Sequence, residues 1–270
     1  MELREKISAN LSSVKEKSPL IHHITNYVTV NDCANIVLAI GGSPVMADDL
    51  EEVAEMVGFA SALVLNIGTL NSRTIESMLV AGRRAKELGV PVILDPVGVG
   101  ATKLRTDTAE KLIKELKPEV IRGNMSEIKV LAGQNVAIKG VDSLADEQGS
   151  SIIARTLATE LHCVIAITGK TDVVSDGRQV CLLDNGHRIL ADVTGTGCMT
   201  SSLVATFCGV TNDYFTASVA GIISMGLAGE MAQSSMHHGD GIGTFRARLF
   251  DSIYNLSPEI LAQEGKIRYE

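Results

Sequence analysis

The feature that most constrains this chain is a regular alternation. Short, nearly unbroken apolar runs at Leu20–Ile24, Ala62–Ile67, Val90–Leu94, Glu119–Arg122 and Val164–Thr168 are separated by stretches of helical period. Those stretches lie at Asp32–Ile40, Leu50–Ala60, Ser72–Leu88, Thr106–Leu116 and Ile152–Leu161. Strands joined through helices run parallel, because a parallel pair needs a crossover connection. Runs that are apolar throughout, rather than alternating, fit strands covered on both faces. After Thr168 the pattern changes: Asp172–Ser175 and Gln179–Leu183 flank Asp176-Gly177-Arg178, a hairpin signal, and Arg188–Leu190 reads as a further short strand. From Gly195 on, helices are expected at Cys198–Cys208, Tyr214–Ser234 and Ile242–Tyr254. No linker or low-complexity segment interrupts this order. The reading is therefore one α/β domain over residues 1–270, with a mainly parallel central sheet flanked by helices and antiparallel strands late in the chain. Such sheets bind ligands at the carboxyl ends of their strands, so the residues just after each run carry the most functional weight.

Charge narrows the ligands. In 270 residues, 24 Lys and Arg face 32 Asp and Glu, a net charge of −8, and aromatic residues make up 3%. This argues against nucleic-acid binding, which needs a basic face or stacking platforms. It also means that a polyphosphate ligand has to be met by backbone amides or a metal. The five cysteines (33, 163, 181, 198, 208) form no C-x-x-C pair, as expected of a reduced, cytoplasmic protein. The N-terminal stretch is charged and lacks the apolar core of a signal peptide. The most apolar segment, Phe215–Ala232, is broken by Ser, Thr, Gly and Glu230 and reads as a buried helix rather than a membrane span.

Common nucleotide motifs are absent. Gly169-Lys170-Thr171 ends like a P-loop, but Val164 stands where the leading glycine belongs, and no strand is followed by a complete G-x-G-x-x-G. The adjacent pairs His22-His23 and His237-His238 make poor metal sites, since neighbours on a strand point to opposite faces. The strongest element is Asp192-Val193-Thr194-Gly195-Thr196-Gly197-Cys198, which precedes an apolar helix. Two glycines permit a tight turn and close approach to a ligand, and the free N–H groups of a helix start attract an anion. The alternative is a glycine-rich helix cap with no ligand.

This segment resembles the D-T-x-G-A-G-D anion-hole signature of ribokinase-like kinases. Leu94-Asp95-Pro96-Val97-Gly98 is similar to the acidic strand end of their vitamin-kinase branch. Asn124-Met125-Ser126-Glu127 matches the superfamily's N-x-x-E motif, and Ile167-Thr168-Gly169 resembles its nucleotide-side turn. With His22-His23-Ile24-Thr25-Asn26, Gly42–Ala47 and Leu65–Leu70 added, the chain resembles the hydroxyethylthiazole kinase family from about residue 18 to residue 250. The resemblance implies a three-layer ribokinase-like fold and ATP-dependent phosphorylation of 4-methyl-5-(2-hydroxyethyl)thiazole in thiamine salvage.

It also implies roles. Gly195, Thr196, Gly197 and Cys198 would form the catalytic turn, with Gly195 under the reacting hydroxyl. Arg122, Thr168 and Asn124 would bind ATP, Asp95 and Glu127 would hold Mg²⁺, and Met46, Asn26, Val28 and Gly68 would line the thiazole pocket. Read alone, Glu127 is equally a first-turn helix acid, Asp95 turn chemistry, Arg122 a structural ion-pair member and Met46 a core residue. The wider superfamily has a general-base Asp where this chain has Cys198. A thiol suits positioning or weak base help, because phosphoryl transfer needs little early deprotonation of the nucleophile. Rival readings are a hydroxymethylpyrimidine or pyridoxal kinase, a nicotinamide-hydrate dehydratase and a non-catalytic nucleotide sensor. The residues between Leu20 and Ala47 are too few for the β-sheet lid of many sugar kinases. The resemblance implies a homotrimer, in which a neighbouring subunit closes the pocket instead, so that residues 26–28 and 46 serve a site whose Cys198 belongs to another chain.

Overall fold

The computed structural model describes residues 2–135 and 147–270. Among them the strands β1 (Leu20–Ile24), β2 (Ser43–Met46), β3 (Ala62–Asn66), β4 (Val92–Asp95), β5 (Val120–Asn124), β6 (Val164–Thr168), β7 (Asp172–Ser175), β8 (Val180–Leu183) and β9 (Ile267–Tyr269) form one sheet. Its order is β2-β1-β3-β4-β5-β6-β7-β8-β9. Every pairing from β2 to β6 is parallel, and β7, β8 and β9 add antiparallel. Because β1 pairs with β2 on one side and β3 on the other, the winding direction reverses beside β1. That opens a crevice at the carboxyl ends of β1 and β3.

Two helix layers cover the sheet. One holds α1 (Leu3–Lys17), α2 (Val30–Ile40), α8 (Thr196–Cys208), α9 (Tyr214–Ser234), α10 (Ile242–Tyr254) and α11 (Pro258–Glu264). The other holds α3 (Val53–Val57), α4 (Ser72–Leu88), α5 (Lys103–Leu116), α6 (Met125–Asn135) and α7 (Glu147–Leu161). Successive β3 residues feed alternate cores: Ala62 and Val64 pack with α8 and α9, Leu63 and Leu65 with α4 and α5. Helix ends follow local chemistry. Asn71 accepts from Thr74 N (3.0 Å) to start α4, and Gly89, in the left-handed region, ends it. The long apolar helix α9 could span a membrane by length and composition, yet most of it is buried against α8, α1 and α10.

The alternation locates β1, β3 to β8, α2, α4, α5 and α7 to α10 within a few residues, but four local readings differ. Arg188–Leu190 is not a strand; Arg188–Asp192 is a 3₁₀ turn, started by the His187 ring and tied to α8 by the Thr196 hydroxyl. Leu50–Ala60 keeps only the short helix Val53–Val57. β2, which contains Pro44, and the three-residue β9 were not anticipated as strands. Both lie at sheet edges, where a proline or a very short run is tolerated.

Candidate active site

The turn before α8 is shaped by glycine on both sides. Gly195 sits at φ +88° as the helix cap, and a Cβ there would lie 2.6 Å from Thr29 Cγ2. At Gly197 a Cβ would lie 2.8 Å from Arg122 Nη1, so a side chain at either position would drive the turn off its neighbours. A glycine cap has no side chain with which to satisfy the N–H groups of the first turn. Those groups have no intrahelical acceptor, and the free N–H groups of a helix start favour an anion.

Across from this turn, β5 supplies Arg122, which is buried. Arg122 Nη2 donates to Thr168 Oγ1 at the end of β6, and Nη1 lies 3.8 Å from Asp95 Oδ1 at the end of β4. Asp95 is fully buried. Asn66 Nδ2 and Ser201 Oγ both donate to its Oδ2 at 2.9 Å, while Oδ1 has no hydrogen-bond partner. Burial pushes the Asp95 carboxyl up to about 6, against the pull of Arg122, Ser201 and Asn66 and with a push from Glu127. Glu127 and Asn124 form a reciprocal cap at the start of α6. Glu127 Oε2 accepts from Asn124 N (2.8 Å), and Asn124 Oδ1 accepts from Glu127 N (2.9 Å). Glu127 Oε1 accepts from Gly98 N (2.8 Å), which ties the loop after β4 to α6. The first-turn reading of Glu127 is therefore correct as a local description, and its charge is close enough to push the Asp95 pKa upward.

The acceptor side is a network of amides. Asn26 Oδ1 accepts from Thr29 N and Oγ1, both at 3.0 Å. Asn26 Nδ2 donates to Asn66 Oδ1 (3.0 Å) and Cys198 Sγ (3.4 Å). Asn26 and Val28 therefore share a cavity with the Cys198 of their own chain rather than another's, because the loop after β1 lies against the start of α8. Gly68 N donates to Asn66 Oδ1 (2.9 Å), and Arg105 Nη2 donates to Gly68 O (2.7 Å). Burial and the nearby Asp95 carboxylate push the Cys198 thiol above its ordinary value; Thr29, Asn66 and Asn26 pull the other way. A thiol so placed remains protonated near neutrality and makes a weak base.

Two cavities meet at the turn. One of about 340 Å³ is lined by Asn26, Val28, Gly68, Asp95, Glu127 and Cys198 among others. The other, about 610 Å³, runs from Thr168 and Thr196 to Leu190, Ile222 and Met225. Arg122 and Gly197 belong to both. The first volume suits a small heterocycle, and the second, polar at one end and aliphatic at the other, suits a nucleotide. Of the residues singled out from the sequence, only Met46 lies outside both cavities, at the carboxyl end of the edge strand β2. Val28 is 59% and Tyr27 79% exposed, so this side is open in the single chain. Asn66, Ser201 and Arg105 were not foreseen as site residues. Their contacts reach 29 to 132 positions along the chain, beyond any local spacing. The histidines of β1 are spent on structure: His22 Nε2 meets Ala47 O (2.7 Å) and His23 Nε2 meets Ser202 Oγ (3.0 Å). Burial lowers the pKa of both, His23 to about 4.

Residues 11–259 match the model of the hydroxyethylthiazole kinase family. The hydroxyethylthiazole kinase of Alkaliphilus oremlandii is 52% identical, with 99% of each chain covered. The solved hydroxyethylthiazole kinase of Pyrococcus horikoshii OT3 is 38% identical and superposes with a TM-score of 0.89, covering 98% of this chain and 99% of that one. Bacillus subtilis pyridoxal kinase, solved as an ADP complex, shares the fold at 17% identity and a TM-score of 0.60, over 78% of this chain and 91% of its own.

Proposed function

This chain belongs to the hydroxyethylthiazole kinase family, and on that premise we propose how its site transfers the γ-phosphoryl group of ATP to the hydroxyl of 4-methyl-5-(2-hydroxyethyl)thiazole. The carrying observation is that the two cavities meet only across the Gly195–Cys198 turn and Arg122. A hydroxyl entering from the small cavity and a γ-phosphate entering from the large one converge on the same helix N-terminus. Charge in this transfer sits on the phosphoryl oxygens, and backbone N–H groups together with Arg122 stabilise it without the many cations that an acidic protein lacks. Arg122 and Thr168 would hold the phosphates and Asn124 the rim. Gly195 would support the reacting hydroxyl, with Cys198 orienting it rather than removing its proton.

Mg²⁺ fits the residues present. The buried Asp95 Oδ1, which has no hydrogen-bond partner, is an available oxygen ligand, and Asp95 and Glu127 line the same small cavity. A hard cation that takes one or two carboxylates plus phosphate oxygens suits that pair. Bound by Asp95 and Glu127, it would supply charge neutralisation to the phosphates.

The exposed Tyr27 and Val28, and the position of Met46 outside the cavity, support a homotrimer in which β2 of one subunit completes the thiazole pocket of the next. The kinase would act in the cytoplasm as one ribokinase-like domain over residues 1–270. The test offers purified protein ATP and Mg²⁺ with a panel of thiazole, pyrimidine and pyridoxal alcohols. Phosphate transfer to the thiazole is expected; transfer only to another alcohol, or to none, would overturn the reading.

A further inference from the structure

The Asn66 side chain joins Asp95 directly to Cys198, and its four hydrogen bonds use its whole valence. Its Oδ1 accepts from Gly68 N (2.9 Å) and Asn26 Nδ2 (3.0 Å); its Nδ2 donates to Asp95 Oδ2 (2.9 Å) and Cys198 Sγ (3.2 Å). The orientation of the amide is not arbitrary. A backbone N–H can only donate and an ionised carboxylate can only accept, so the oxygen faces Gly68 and the nitrogen faces Asp95. The Asn26 amide is fixed by the same logic, since Thr29 N–H must meet its oxygen. Both amide nitrogens therefore point hydrogens at Cys198 Sγ.

We propose that Asn66 is a positioning residue of the phosphoryl transfer, locking the Cys198 sulfur, as a hydrogen-bond acceptor, in register with the Asp95 carboxylate. The proposal rests on the kinase reading above and adds to it a specific division of labour within one side chain. The oxygen of Asn66 belongs to the scaffold, holding the loops after β1 and β3. The nitrogen does the catalytic positioning. It pins Asp95 through Oδ2, with Ser201 beside it, and so leaves Oδ1 alone facing Arg122. It also sets where Cys198, in the first turn of α8, stands relative to that carboxylate. Sequence separations of 29 and 132 residues are bridged by one rigid planar group. The acceptor hydroxyl and the phosphoryl group approach from opposite cavities, so a shift of an ångström between Cys198 and Asp95 would spoil their alignment; such a misplacement can cost about 100-fold in rate.

The division of labour makes Asn66→Asp the decisive variant. It has the same shape and retains an oxygen for Gly68 N and Asn26 Nδ2. It replaces the donor by an oxygen set against Asp95 Oδ2 and Cys198 Sγ. If Asn66 serves only the scaffold, Asn66→Asp is tolerated and Asn66→Ala is the worse change. If the nitrogen positions the site, Asn66→Asp is at least as damaging as Asn66→Ala. The expected result is a kcat lowered about 30- to 100-fold in both, with KM for ATP within about threefold of the parent. A readout independent of turnover is the alkylation of Cys198 by iodoacetamide at fixed pH, followed residue by residue with mass spectrometry. The other four cysteines are buried, so the signal is separable. Loss of an N–H donor to sulfur, with an oxygen in its place, should slow alkylation about fivefold or more in Asn66→Asp. A kcat for Asn66→Asp within threefold of the parent, or an unchanged alkylation rate, overturns the proposal. If Asn66→Asp melts below the assay temperature, Asn66→Ala decides on the same kcat and ATP-KM criterion. Alkylation needs neither nucleotide nor thiazole, so an error in the assigned substrate leaves that arm intact and is detected separately by the parent's own activity panel.

Discussion

The two ends of the proposed site, one for phosphate and one for the acceptor alcohol, are built by different means. The phosphate end consists of strand termini and one glycine turn: Arg122 on β5, Thr168 on β6 and the backbone of 195–197. All of it comes from one chain, and its chief side chain, Arg122, is buried. The acceptor end consists of loop side chains, Asn26, Asn66 and Gly68 around Cys198, and opens to solvent past Val28 and Tyr27. The difference follows from the ligands. A triphosphate presents the same anionic oxygens to every kinase, and backbone N–H groups bind these at little entropic cost. A neutral alcohol has to be selected by shape and by few hydrogen bonds, which is work for side chains and for a pocket wall that a second subunit can supply.

The comparison breaks most visibly at Arg122. Arg122→Ala removes the donor shared by both cavities and leaves buried Asp95 without its nearest cation. Single electrostatic groups in such sites are worth about 10²- to 10³-fold. We expect kcat/KM for ATP to fall by about that factor while direct binding of the thiazole, measured by calorimetry without nucleotide, changes little. An equal loss of thiazole affinity would show that the two ends are not separable.

This asymmetry also explains what the sequence reveals. Asp192–Cys198 and Asn124–Glu127 are local: a glycine turn before a helix and a reciprocal cap three residues apart are visible as spacing, and both sit at strand ends whose alternation is itself legible. The acceptor end is not. Asn26, Gly68 and the segment that holds Asn66 enter only through family resemblance, and Ser201 and Arg105 give no sign, because their partners are brought together by the sheet order rather than by the chain. The same distinction separates β6, a five-residue apolar run, from β9, whose three residues become a strand only by pairing with β8. Arg188–Leu190 misled for the converse reason. Its composition suits a strand, but the His187 ring and the Thr196 hydroxyl give its backbone groups partners in a 3₁₀ turn.

A second difference concerns pH. The nucleotide cavity includes Asp172, buried at the start of β7, its carboxylate accepting from Gly169 N (2.8 Å). Burial pushes its pKa up to about 7, more than Gly169 and Arg122 hold it down. An unfolded Asp titrates near 3.9. Between about pH 4 and 7 the native chain thus binds more protons at this group than the unfolded one. Its contribution to stability is full below pH 4 and is lost as pH rises through 7, a swing on the order of 4 kcal/mol at most. Asp172→Asn retains an oxygen for Gly169 and abolishes the titration. Its melting temperature should match the parent near pH 4.5 and exceed it by several degrees at pH 8, with KM for the thiazole unmoved. A parent–variant difference in melting temperature that is flat with pH would show that Asp172 is stably paired at its ordinary value.

The smallest effect expected is the most telling about the open end. Met46→Ala shortens one wall of the proposed thiazole pocket, and since Met46 stands outside the cavity of its own chain, the wall it lines would be a neighbour's. Truncating a pocket methionine should raise KM for the thiazole about tenfold with kcat and KM for ATP nearly unchanged, the pattern of lost uniform binding. Mixing distinguishes whose pocket it is. In assemblies formed from equal amounts of Met46→Ala and Arg122→Ala chains, a shared site draws Arg122 from one subunit and Met46 from the next. About a quarter of the sites would then carry both native residues. At thiazole concentrations below the raised KM, co-refolded chains should therefore exceed the average of the two separate variants by a margin that grows as the substrate is diluted. If each pocket uses its own Met46, co-refolding yields only that average at every concentration, and the acceptor end is completed within one chain after all.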